Sequence, residues 1–338
     1  MKARSLDVLI AARDEGAVFE KCCASVEKAV AELAKRTGIR AAVVYVDSYS
    51  TDGSVAVAKR SGFRVARPPD WYYNCANGRT TGYLLTAGEF VMVLDGDMEL
   101  AEGWLADGLA FLESREDAGG VAGIRDDMRL TGASFSRIPN YHRITAPVQG
   151  VGDDVGGAFL FRRAALDAAG GFEPAVVPEE DFVLYAQIKK KGWELYRIDR
   201  PMIVHWDTKV ASASAVIEHL MFSRKALVPG VIFRHALLRT DWWPHLLRFK
   251  RDLFVHALWL LAVAFARPAA WPLAATAVYL LSIWAQKRDP LRTAGALVLR
   301  TVYLANFLAG FALGRPALEF GVQHAEKYKE TVRRLNPS

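Results

Sequence analysis

Cysteine is scarce in this chain: three in 338 residues, two of them adjacent. Cys22 and Cys23 cannot easily bridge to each other, and together with Cys75 they show no metal-ligand spacing. That excludes a disulfide scaffold and a cysteine-based zinc site, and it fits a reducing compartment. Also lacking is an apolar run near the start long enough for a secretory signal, since MKARSLDVLIAARDE reaches charge after a few residues. The N-terminal part is therefore expected to stay in the cytosol.

Positive charge is in deficit where most of the chain lies. Residues 1–210 carry 26 Lys+Arg against 30 Asp+Glu, a balance of −4, whereas residues 211–338 carry 17 against 7, a balance of +10. The basic part interleaves its charges with Trp242, Trp243, Trp259, Trp271 and Trp284 and with long apolar runs. Nucleic-acid surfaces do not need such runs. Tryptophans and cations at the ends of apolar segments suit a membrane interface, so the expected partner is membrane lipid and not nucleic acid.

With 52% hydrophobic and 24% charged residues the chain is neither disordered nor fibrous. Its length allows one large domain plus a second part. LDVLIAA (6–12), AAVVYVD (41–47), FRVAR (63–67) and FVMVLD (90–95) read as strands, and residues 17–36, the segment carrying VAVAKR behind Thr51 or Asp52, and residues 76–87 read as helices. This alternation predicts an α/β fold, a mostly parallel sheet with helices on both faces. In such sheets ligands bind beyond the carboxyl ends of the strands. Asp47 and Asp95 both end strands there.

VMVLDGDMEL (91–100) drives a strand into the core and then presents Asp95 and Asp97 across a glycine. Two carboxylates on such a turn can share a hard divalent cation, which completes its shell with water and substrate phosphates. On its own such a turn is far more often just a solvated strand end. The neighbouring motifs decide between them.

VLIAARDEG (8–16), YVDSYSTDGS (45–54), NCANGRTTGYLLTAGEFVMVLDGD (74–97), DDVGGAFLFRRAALDAAGGFEP (153–174) and PEEDFVLYAQIKKKGWELYRI (178–198) occur in that order. Over roughly residues 5–206 this series resembles glycosyltransferase family 2, inverting nucleotide-sugar enzymes with the GT-A, Rossmann-like fold. The resemblance implies a donor site made of Ala11, Arg13, Glu15, Asp47, Arg79, Asp95 and Gly157. Asp47 would meet the base, Arg79 the diphosphate and Asp95 the ribose. It also implies Asp97 as ligand to Mg²⁺ or Mn²⁺, while His205 reads equally as a second ligand or as a packed core histidine. Asp181 stands at the general-base position, with Glu180 beside it on the acceptor side. The implied donor is a UDP-sugar, with GDP or dTDP as the other bases, and the implied acceptor a hydroxyl of a lipid-linked molecule or a glycan. Trp71, Tyr72 and Tyr73 could stack on a base, but a loop cluster of aromatics more commonly packs on its own domain.

The expected organisation is a GT-A domain over 1–210, amphipathic interfacial helices over 211–250, membrane-associated helices over 251–313 and a basic cytosolic tail over 314–338. Residues 253–285 would form a hairpin, and 291–313, interrupted by Arg292 and Arg300, an interfacial helix. That places the enzyme on the cytoplasmic face of the inner membrane, serving envelope or exopolysaccharide synthesis. Two other readings stand beside it. A polyprenyl-phosphate sugar synthase would use an already ionised acceptor and need no base. A catalytically silent domain would bind nucleotide sugars as a membrane scaffold.

Overall fold

The computed structural model describes residues 4–70, 74–131, 134–138, 150–151, 157–172, 180–208, 224–237, 251–265, 270–313 and 322–337. Trp71, Tyr72, Tyr73, Trp242, Trp243 and the segment 314–321 lie outside them. The chain divides into two compact units, one of residues 1–210 with 320–338 and the other of residues 211–319.

The first unit begins with β1 (Leu6–Ala12), almost wholly buried, which pairs in parallel with β2 (Ala42–Asp47) and β4 (Phe90–Asp95). Continuous apolar runs are what a strand covered on both faces requires. The third strand, β3 (Arg64–Ala66), pairs with β2 at the sheet edge. Between these strands run α1 (Ala17–Thr37), α2 (Ser54–Arg60) and α3 (Cys75–Leu85). Helix α1 stops at Gly38, whose left-handed backbone lets its N–H reach the carbonyl of Ala34. Helix α3 is started by Asn74, whose side chain accepts from the Asn77 N–H.

Beyond β4 the chain forms β5 (Met98–Leu100), α4 (Trp104–Ser114), β6 (Ala118–Thr131), β7 (Ser134–Ile138), β8 (Gly150–Val151), β9 (Ala158–Arg162), α5 (Arg163–Ala169), α6 (Glu180–Lys190) and β10 (Glu194–Asp207). The sheet order is β3-β2-β1-β4-β9-β6-β10-β5. Strand β9 runs antiparallel to both β4 and β6, while β6 and β10 are parallel. Registers align Ala12 with Asp47 and Ala11 with Asp95, so the carboxylates ending β2 and β4 flank the end of β1. The segment expected as a tail contains α11 (Val322–Leu335), with Tyr328 and Val332 buried and packed into this unit.

In the second unit, a 3₁₀ turn (Arg224–Leu227) leads into α7 (Val228–Leu237), followed by α8 (Arg251–Phe265), α9 (Ala270–Lys287) and α10 (Pro290–Leu313). Helices α7 and α10 pack closely, since a Cβ on Gly230 would lie 1.9 Å from the Phe307 carbonyl oxygen. Beside an apolar core that includes Ile232, Ile283 and Phe307, the unit buries a polar cluster, and many of its apolar side chains face outward. His256, fully buried, meets the Tyr279 hydroxyl at 2.8 Å and Thr301 at 3.1 Å, and Arg300 joins Tyr279 to Asp252. Meanwhile Leu258, Phe265, Trp271, Leu273 and Leu313 are exposed. Within α10, Thr293–Leu313 is 21 residues long with a mean hydropathy of 1.7, enough in length and composition to cross a membrane; among the described residues it is the one such helix. The apolar stretches of α8 and α9 are shorter than a span.

Candidate active site

The carboxyl ends of β1, β2 and β4 supply three kinds of group. At β1, Ala11 and Ala12 are buried and small, so helix α3 and the turn after β4 come close: Cβ atoms built at Gly78 and Gly96 would lie 3.1 Å and 2.3 Å from them. Arg13 is half-exposed and paired with Asp14 at 3.3 Å. Asp14 in turn accepts the Thr51 N–H at 2.6 Å, and Asp52 accepts the Gly16 N–H at 2.7 Å. The loops after β1 and β2 are thus tied to each other. Glu15 lies beside the Gly96 turn.

Asp47 is fully buried. It accepts from the Tyr45 hydroxyl at 3.0 Å and the Ser50 N–H at 3.1 Å, with the Arg67 guanidinium 3.8 Å away. Its carboxylate therefore shapes the loop after β2.

Arg79 gathers three of the predicted residues. One terminal nitrogen donates to both oxygens of Asp95, at 2.7 and 2.9 Å. The other donates to Glu180 at 2.7 Å and to Asp181 at 2.9 Å. Its side chain is 3% exposed, so an unpaired charge there would be costly and the carboxylates offset it. The expected diphosphate ligand is in this structure the hub of an acidic cluster. Glu180 and Asp181 open α6, where the helix dipole favours negative charge. Desolvation, with Glu180 and Asp95 alongside, outweighs Arg79 and pushes the Asp181 carboxyl up to about 7. Cys75, exposed at the start of α3, donates to Glu180 at 2.8 Å.

Gly157 joins this cluster through its backbone. Its carbonyl accepts the Asp95 N–H at 3.1 Å and its N–H points to Asp181 at 3.4 Å. It adopts φ +82°, and a Cβ there would lie 2.8 Å from Asp95 and 2.4 Å from Met98. Only glycine fits on both counts.

The second centre sits on the far side of the Gly96 turn. The Trp206 N–H donates to the Asp97 carbonyl at 2.8 Å, which brings Asp97 beside His205. The His205 Nε2 lies 3.4 Å from Asp97 Oδ2, and Nδ1 lies 2.7 Å from Asp127 Oδ1. Burial works against a charged ring, but the hydrogen bonds to Asp127 and Asp97 prevail and push His205 up to about 9. Burial likewise opposes ionisation of Asp127, yet His205 and Arg125 hold it down at about 2. Asp97 Oδ1 is buried with no hydrogen-bond partner. A buried orphan carboxylate oxygen beside an imidazole nitrogen, in a spot where positive charge is stabilised, fits a divalent cation completed by phosphate oxygens, the cation displacing the proton that Nε2 carries in its absence. Among the described residues no three metal-ligating side chains converge, and Asp97 and His205 are the two of them that would meet the cation.

Asp127 and Arg125 escaped the sequence reading. A signal was present, for they are two apart in a strand and so share one face of β6. Their partner His205 is aligned with Asp127 only by the long-range β6–β10 pairing.

Residues 7–170 match the model of the Glycosyl transferase family 2. Among solved structures the chain is similar to mannosyltransferase PcManGT from Pyrobaculum calidifontis in complex with GDP-Man and Mn²⁺. The TM-score is 0.56 at 18% identity, covering 92% of this chain and 88% of that one. It is also similar to S. aureus TarS in complex with UDP-GlcNAc, with a TM-score of 0.51 at 14% identity over 91% and 90% of the two chains. GalNAc-T7 with UDP, GalNAc and Mn²⁺ gives 0.50 at 16% identity, over 72% of this chain and 55% of that one. No curated protein sequence matches. At these identities the structural likeness speaks for the fold.

Proposed function

We propose that this chain, a glycosyltransferase whose residues 7–170 form a family 2 domain of GT-A fold, moves a sugar with inversion from a nucleotide donor to an acceptor hydroxyl. The observation that carries the reading is the adjacency of two unlike centres. Asp181, with its carboxyl near 7, lies in one, and the orphan oxygen of Asp97 lies in the other. A base with a pKa near neutral is well matched to taking a proton from a hydroxyl as its oxygen attacks the anomeric carbon. Asp181 takes that role and Glu180 braces it through their shared Arg79. Arg79 acts as a positioning residue that fixes Asp95 and Asp181 in mutual register. Asp95 and the Gly157 backbone line the wall against which the donor's ribose and sugar would lie.

Asp97 and His205 would hold a divalent cation, Mg²⁺ or Mn²⁺, which when bound neutralises the charge of the departing nucleoside diphosphate. Asp127 orients His205 by accepting its Nδ1–H, a support that fixes which ring nitrogen faces the cation. The solved structures of similar fold include complexes with GDP-Man and Mn²⁺ and with UDP-GlcNAc, and we assign a nucleotide sugar, UDP first and then GDP or dTDP, as the donor here. Asp181 at a base position favours a hydroxyl acceptor, lipid-linked or glycan, over an ionised lipid phosphate.

The setting we infer is the cytoplasmic face of a membrane. Support comes from the apolar exterior of the second unit, from the cations Lys287 and Arg288 beside the turn between α9 and α10, and from the length of α10. A thermal-shift screen of the detergent-solubilised chain with UDP-, GDP- and dTDP-sugars, each with and without Mn²⁺, tests the donor. Stabilisation by one nucleotide class that depends on metal is the expected result. Absence of any shift would overturn the nucleotide-sugar reading of the site.

A further inference from the structure

Helix α11 reaches the donor side of the catalytic unit at two points. Tyr328, 1% exposed, sends its hydroxyl to α3, where it donates to Asn77, to the backbone oxygen at 3.0 Å or to the side-chain oxygen, and meets the Thr81 hydroxyl at 2.9 Å. Asn77 is two residues from Arg79, and its amide also donates to the Pro69 carbonyl at 2.7 Å, tying α3 to the loop after β3. One helical turn beyond Tyr328, Val332 is likewise buried.

The second point is Asn336, just past the end of α11. Its side-chain oxygen accepts the Arg67 N–H at 2.7 Å and its amide donates to the Arg67 carbonyl at 2.9 Å. An asparagine amide that satisfies both backbone groups of one residue imitates a neighbouring strand, here at the open edge beside β3. Arg67 faces Asp47 at 3.8 Å, and its guanidinium lies 5.5 Å from the centre of the Tyr49 ring.

We propose that α11 is a positioning element of the donor site, with Tyr328 setting the helix that carries Arg79 and Asn336 setting Arg67 against Asp47. The donor site is then built from two chain segments separated by the whole apolar unit. This rests on the nucleotide-sugar reading of the cleft. Since Tyr328 touches neither donor nor acceptor, its effect should fall on ligand affinity through α3.

The test uses the full chain in detergent and compares wild type, Tyr328→Phe, Asn336→Ala and Val26→Ala. Val26 is a buried residue of α1 that makes none of these contacts, and its truncation serves as the control for lost stability. Two readouts are taken: affinity for UDP and GDP with Mn²⁺ by titration calorimetry, and amide hydrogen exchange over residues 64–67 and 74–82. Tyr328→Phe should weaken binding of the preferred nucleotide about tenfold and speed exchange in α3. Asn336→Ala should speed exchange at 64–67 and weaken binding a few-fold, while Val26→Ala lowers the melting temperature and leaves affinity within about twofold. Unchanged exchange and affinity in both α11 variants would overturn the proposal, as would an equal loss of affinity in Val26→Ala. If wild type binds neither nucleotide, the nucleotide-sugar reading fails, and the exchange data alone decide whether α11 sets α3 and Arg67.

Discussion

The two sides of the Gly96 turn solve the problem of buried charge differently. Around Arg79, a guanidinium shares its terminal nitrogens among Asp95, Glu180 and Asp181, so that the opposite charges face one another within the protein and only its Nε stays buried without a partner. Around His205, Asp97 keeps one oxygen buried and unpartnered, although the ring is held firmly by Asp127. Fold stability asks for partners at both places. The contrast suggests that the first centre is a preassembled frame and the second a socket whose last partner arrives with the substrate.

The comparison breaks most visibly at Asp181. Asp181→Asn keeps the shape of the frame and removes the base, so the transfer rate should fall about 10³-fold with nucleotide affinity unchanged; equal loss of both would make Asp181 a structural residue. Next comes Arg79→Met, which leaves three carboxylates facing one another. Denaturant unfolding at pH 7 should show a loss of about 3–5 kcal/mol. That loss should shrink as pH falls, because crowded carboxylates take up protons more readily in the folded state and uptake relieves their repulsion. A loss independent of pH would argue that packing, not charge, is what Arg79 supplies.

Smaller effects separate the socket from the frame. Asp127→Asn should raise the apparent Kd for Mn²⁺ about 10–100-fold through the loosened His205 ring, with little change in nucleotide binding measured without metal. The pH profile sharpens the frame instead. With Asp181 near 7, transfer should rise about tenfold per pH unit below that value and level off above it, the base being active when deprotonated. The residual rate of Asp181→Asn should lack this break, and a break that persists there would assign the titration to another group.

Sequence and structure agree best where the pattern is local. Strand β1 and helix α1 lie where the apolar run and the 3.6-residue spacing put them, because both bury a continuous surface. Asp95, Asp181, Glu180 and Gly157 were visible as motif positions, and the fold brings them together on Arg79. What the motif could not convey was that Arg79 would be enclosed by carboxylates, since three distant segments create that geometry. Asp127 was hidden for the same reason, lying on a strand whose partner is 78 residues away. In the basic tail the decisive feature is not charge: Tyr328 and Val332, four apart, present one apolar stripe that the first unit buries.

The most direct test of the frame-and-socket account is calorimetric titration of the preferred nucleotide into wild type and Asp97→Ala, each with and without Mn²⁺. The account predicts that Mn²⁺ tightens binding at least about tenfold in wild type and has no effect in Asp97→Ala. The same metal enhancement in both proteins would contradict it, leaving the buried oxygen of Asp97 without the role assigned to it.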